Sequence, residues 1–128
     1  MSRLSLAFFA TAALCALTGM AWGIQIGMSN QLWMAPAHAH LNLVGWASLA
    51  LMGAFYGVAG DRAPRRLGWL NYALSTAAVL VMIPSLAILL ATTNKPNPGI
   101  IVGALLAVAG MATFLGSVIV VALRPAST

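Results

Sequence analysis

Acidic side chains are almost missing from this chain. Of 128 residues only Asp61 is acidic, glutamate does not occur, and lysine and arginine together number six. Charged residues make up 5% of the sequence, against about 25% in a soluble domain. So few charges cannot clothe a water-facing surface, which excludes a soluble globular enzyme and a disordered tail. The excess of cations gives a formal charge of +5 and a pI near 10.9. No basic stripe with interleaved aromatics accompanies it, so no nucleic-acid partner is expected. The single cysteine, Cys15, lies inside an apolar run and forbids an internal disulfide. No catalytic pair for hydrolysis or phosphoryl transfer occurs, and no phosphate-binding glycine loop followed by lysine.

What the chain has instead is apolar length. Hydrophobic residues make up 62%, and the mean hydropathy is +0.97. A bilayer core about 30 Å thick needs roughly 20 apolar helical residues. Four stretches supply them within a single domain, at about 4–26, 37–59, 67–91 and 99–123. Their alanine and leucine content favours helix, and they lack the alternation of barrel strands. The expected fold class is therefore all-α, an integral membrane four-helix protein whose main partner is the lipid bilayer. The polar breaks lie at Met28–Met34, Gly60–Arg66 and Thr93–Pro98. Pro36 falls in the first turn of the second helix, where a missing N–H costs little, and Pro84 predicts a kink in the third. The first run is long for a signal core and reads as a retained helix.

Cations set the expected orientation. With four spans, Arg3, Arg62, Arg65, Arg66 and Arg124 share one side and Lys95 alone holds the other. Both termini are therefore expected in the cytoplasm of a multi-pass protein of the bacterial-type inner (plasma) membrane. Small residues mark packing faces. Gly19, Gly23 and Gly27 recur every fourth position on the first helix. Gly45, Gly53 and Gly57 share a row on the second, interrupted at Leu49. Gly99 with Gly103 and Ala112 with Gly116 continue the pattern on the fourth. Such stripes hold the helices together, make subunit contacts or leave room for a flat cofactor.

Both histidines lie in Pro36-Ala37-His38-Ala39-His40-Leu41-Asn42-Leu43-Val44-Gly45-Trp46, at the outer end of the second helix. Each helical residue turns about 100°, so the two imidazoles point roughly 200° apart. They cannot chelate one small ion, which needs an i, i+4 pair, but they can serve two sites on opposite faces. One face runs from His38 through Asn42 and Gly45 to Leu49, the other from His40 through Val44 and Ala47 to Leu51. Gly45 and Ala47 then leave relief two turns below each imidazole. Ionisable groups inside a membrane are functional candidates by default.

The run His38-Ala39-His40-Leu41-Asn42-Leu43-Val44-Gly45-Trp46 resembles the His-x-His helix of the heme–copper oxidase catalytic subunit, most closely in the cbb-type oxidases and nitric oxide reductases. In that family one histidine of the pair ligates the high-spin heme and the other the low-spin heme, from opposite sides of one helix. The family's subunit has twelve helices in three arcs of four. The resemblance therefore implies a minimal relative equal to one arc, with three copies forming an oxidase-like homotrimeric ring. It also implies heme, b-type by preference, held by His38 and His40. Bis-histidine sharing between neighbouring protomers would use six imidazoles for three irons.

Departures from the family limit the activity expected. The copper site needs three further histidines, including a His-His pair, and a crosslinked tyrosine or a glutamate nearby. This chain has none of those histidines, and Tyr56 and Tyr72 lie near the other membrane face. A terminal oxidase acting alone is not expected. Electron transfer is, with a respiratory electron donor as a partner. Asn42 is a candidate to orient an imidazole, Trp46 and Trp22 to line the cofactor, and Lys95 to meet heme propionates. Met20, Met28 and Met34 carry thioethers suited to iron or copper. The other readings left open are an accessory or assembly subunit of a respiratory complex and a copper-binding membrane protein.

Overall fold

A computed structural model of the chain describes residues 1–92, 95 and 97–124. Every element among the described residues is helical. Four helices, α1 (Arg3–Ser29), α2 (Leu32–Arg62), α3 (Arg65–Ala91) and α4 (Pro98–Leu123), are each long and apolar enough to cross a membrane. Two of the expected breaks are shorter than the polar residues suggest. Ser29 continues α1 by turning its hydroxyl back onto the Gln25 carbonyl at 2.7 Å. Asn30 then closes the helix in the left-handed region, at φ 57°, a conformation that asparagine tolerates better than most residues. At the second break a 3₁₀ turn, Gly60–Arg62, ends α2, and only Ala63 and Pro64, the cap of α3, separate the two helices. In the third, positions 93, 94 and 96 lie outside the described residues. There Asn97 donates to the Ser85 carbonyl at 2.9 Å and Pro98 opens α4. α3 continues through Pro84, whose ring sits on an exposed face.

The helices run up and down. Ser5 near the start of α1 donates to the Gly53 carbonyl in the second half of α2, at 2.8 Å. Gly68 at the start of α3 packs against Leu4 and Tyr56. Arg62 at the end of α2 clasps the end of α4. Its guanidinium donates to the Val121 and Arg124 carbonyls at 2.8 and 3.1 Å, and Arg124 returns a bond to the Arg62 carbonyl at 2.8 Å. Terminal carbonyls left open by two helices are thus satisfied by cations, which helix dipoles favour at C-termini. All five arginines of the sequence gather at this end; the histidines lie at the other.

Close approach of backbones joins the pairs. Gly53 sits against Phe8 of α1, and Gly103 sits directly on the backbone of Met82. The core between α1 and α2 is Leu4, Phe8, Ala12, Leu49, Met52 and Tyr56. Phe8 stacks on Tyr56 at 5.4 Å between ring centroids.

A polar chain runs through this apolar interior. Asn71 donates to the Tyr56 hydroxyl at 3.1 Å, Tyr56 donates to Ser117 at 2.9 Å, and Ser117 donates to the Thr113 carbonyl at 3.1 Å. Ser75 donates to the Asn71 side-chain oxygen at 3.0 Å. Tyr56, Asn71, Ser75 and Ser117 are all buried. An unpaired polar group inside a bilayer costs several kcal/mol, so these residues, from α2, α3 and α4, fix one another in register.

Candidate heme-ligand site

The helix that carries the histidines is not a regular α-helix. A 3₁₀ turn, Leu32–Met34, leads into an α segment, Ala35–His40, then a π segment, Leu41–Ala47, then α-helix again over Ser48–Ala59. Ala37, Leu41, Gly45, Leu49 and Gly53 are all buried and recur every fourth residue. In a pure α-helix that row drifts about 40° per step, or about 160° over four steps, and would leave the core. The wider π turn rotates less per residue and offsets the drift. The row Gly45, Gly53 and Gly57, interrupted in sequence at Leu49, is therefore one straightened packing face with Leu49 as its large member. π segments inside helices are rare and frequent at functional sites.

The two imidazoles leave this helix in different directions. His38 turns toward α1 and is half-buried. A Cβ on Gly23 would lie 2.9 Å from its Cε1 carbon, so only glycine there lets the ring seat so deeply. Trp22 meets the same ring edge-on, with centroids 6.4 Å apart. Asn42 lies one turn below and donates to the His38 carbonyl at 2.9 Å. Its amide nitrogen is also 3.3 and 3.5 Å from the two ring nitrogens. One donor that close to both nitrogens lies over the ring face, not along either lone pair. Asn42 is itself seated on Gly19 of α1. The first two glycines of the α1 stripe thus receive the polar side chains of α2, whereas Gly27 has nothing within 4 Å of its Cβ position.

His40 is exposed on the outside of the bundle. Its Nδ1 lies 2.8 Å from the Pro36 carbonyl oxygen. A carbonyl only accepts, so Nδ1 donates this bond, and in the neutral ring Nε2 then holds the lone pair. Ligating histidines commonly use this arrangement, in which a backbone carbonyl fixes the tautomer and aims the other nitrogen.

An open groove of about 500 Å³ adjoins His38, lined by Met20, Gly23, Ile24, His38 and Asn42. Gly45 is not part of it. Cys15 of α1 covers Gly45, with Sγ 2.9 Å from the position a Cβ would take. The expectation that Gly45 gives room for a ring beneath His38 is thereby corrected, because that space holds a helix–helix contact. Trp46 is 50% exposed on the π segment and does not line the groove. Lys95 is exposed in the α3–α4 connection. Met20 lines the groove, and Met28 is exposed near the end of α1.

Among the described residues, no three His, Cys, Asp or Glu side chains come together to hold a bare metal ion. A macrocycle that brings four nitrogen donors of its own needs only one or two imidazoles. The exposed ring of His40 and the glycine-seated ring of His38 lie on different sides of the helix. Asn71, Ser75 and Ser117, which build the buried polar chain, were not among the residues singled out by sequence. Their signal was present as the i, i+4 pair Asn71 and Ser75 within an apolar span. Comparison with known protein families, curated proteins and solved structures gives no match.

Proposed function

We propose that this chain is a heme-binding integral membrane protein that passes electrons, built as one arc of an oxidase-like homotrimeric ring. Both termini face the cytoplasm in this reading, in a bacterial-type inner membrane, so His38 and His40 lie near the outer face. The heme is b-type, and a respiratory donor reduces it. The observation that carries the reading is His40, whose Nδ1 is tied to the Pro36 carbonyl at 2.8 Å while the ring stands exposed. An imidazole held by this bond and facing outward supports a ligand supplied from outside the chain. The His-x-His resemblance and the opposed directions of the two rings point the same way.

His40 of one copy and His38 of the next would hold the heme, which when bound would supply one-electron transfer. This chain's own residues contribute the rest. Pro36 holds the His40 tautomer, Trp22 and Gly23 fix the His38 ring, and Met20 and Ile24 offer apolar walls. Asn42 prevents free rotation of the His38 ring by lying over its face.

Expression of the full chain with ample heme, followed by oxidised and reduced spectra of the detergent-purified protein, tests the proposal. A Soret band is expected, lost or shifted in both His38→Ala and His40→Ala. A colourless product that copurifies with a stoichiometric partner would replace this reading with that of an accessory subunit. Copper found by elemental analysis in place of heme would replace it with that of a copper-binding membrane protein.

A further inference from the structure

A cavity of about 650 Å³ lies at the end opposite the histidines, where the starts of α1 and α3 meet the end of α2. Arg3 and Arg65 line it, Asp61 shares it, Trp69 forms part of its wall, and Leu4 and Tyr56 reach it from the core. Arg62 and Arg124 are engaged with backbone carbonyls nearby. Arg3, Asp61 and Arg65 are exposed. The only acidic residue of the chain thus shares a cavity with two guanidiniums.

We infer that this cavity binds the headgroup of one phospholipid that carries both a phosphodiester and a primary ammonium, as in phosphatidylethanolamine. The inference goes beyond the heme reading and rests only on the chain spanning a membrane. Guanidiniums match phosphate oxygens in geometry and charge. A site meant for a purely anionic headgroup would not place a carboxylate in the same cavity. A primary ammonium turns that carboxylate into a partner, because it donates hydrogen bonds as well as charge. A quaternary ammonium has no N–H to donate. Trp69, 38% exposed, is suited to the membrane–water interface. Leu6 and Leu70, both exposed next to the cavity-lining segments, offer apolar flanks along which acyl chains can lie.

The test offers the delipidated full chain in detergent equal amounts of phosphatidylethanolamine, phosphatidylcholine and phosphatidylglycerol with identical acyl chains. Native mass spectrometry counts the bound lipid. Phosphatidylethanolamine is expected to be retained about fivefold over either competitor, the scale of one partly solvated charge-assisted hydrogen bond. Asp61→Asn should bring phosphatidylglycerol level with it or above. Arg3→Gln combined with Arg65→Gln should lower retention of all three. Far-UV circular dichroism of each variant should show the helical content of the parent, since the altered side chains are exposed. Excess glycerophosphoethanolamine, the headgroup without its tails, should leave bound lipid in place. Equal retention of the three lipids by the parent chain, or an Asp61→Asn variant with unchanged preference, overturns the inference. Displacement of the lipid by the soluble headgroup overturns the lipid assignment in favour of a free phosphoester.

Discussion

Gly23→Ala and Gly27→Ala place the same methyl group on the same helix, one turn apart, and their effects should differ in sign. At Gly23 the new Cβ would stand 2.9 Å from His38 Cε1, whereas at Gly27 it meets nothing within 4 Å. Carbon atoms rest at about 3.5–4.0 Å, so the His38 ring must retreat by roughly 0.6–1 Å or α1 must move away. Trp22 at the ring edge and Asn42 over its face resist the retreat. Overpacking of this kind costs about 1–3 kcal/mol. Both substitutions gain helix propensity, up to about 1 kcal/mol for glycine to alanine, with less at Gly27 because it lies in the last turn of α1. Comparing the two variants largely cancels that gain and isolates the contact. Reversible unfolding in mixed micelles, followed by circular dichroism, should therefore rank Gly27→Ala at or slightly above the parent. Gly23→Ala should fall roughly 1–3 kcal/mol below Gly27→Ala. If heme is bound, its spectrum should shift in Gly23→Ala alone. Equal stability of the two variants would refute the seating of His38 on α1.

Gly103→Ala should be more damaging than Gly23→Ala, because its Cβ would meet the Met82 Cα and backbone nitrogen at 2.8 and 2.9 Å, which cannot rotate away. The same unfolding assay ranks them. Tyr56→Phe removes both the acceptor for Asn71 and the donor to Ser117, and should cost about 1–3 kcal/mol. Ser117→Ala should cost less, since Tyr56 keeps its bond from Asn71; equal losses would contradict the connected chain. Asn42→Leu should leave His40 untouched while freeing the His38 ring, which nuclear magnetic resonance of histidine-labelled protein reads as a change in one imidazole only.

The four helices were legible because each is a long apolar run, and their ends were less so. Polar Ser29 looked like loop, yet it satisfies its hydroxyl within α1, so Met28 and Ser29 extend the helix instead of leaving it. The opposed histidines followed from helical rotation over two residues, which the π segment does not disturb because it begins after His40, at Leu41. Further along, rotation alone misled. Counting at a constant angle put Gly45 below His38, whereas the π segment turns Gly45 onto Cys15. The strict four-residue recurrence Ala37, Leu41, Gly45, Leu49 and Gly53 was the trace of that segment, since an α-helix cannot keep such a row on one side. The buried chain of Tyr56, Asn71 and Ser117 escaped notice for another reason. Its members come from three helices, and the i, i+4 pair Asn71 and Ser75 marks only the α3 part of it.

Mixed assemblies test the central claim, that one heme is shared between His40 of one copy and His38 of the next. His38→Ala and His40→Ala chains, each expected to lack the bis-histidine spectrum alone, are coexpressed with distinguishable tags and purified through both. In every mixed ring of three that carries both tags, about one interface in three joins an intact His40 to an intact His38. A low-spin bis-histidine spectrum should return at that fraction of the parent's intensity. Mixed assemblies whose spectrum matches that of the single variants would contradict the account.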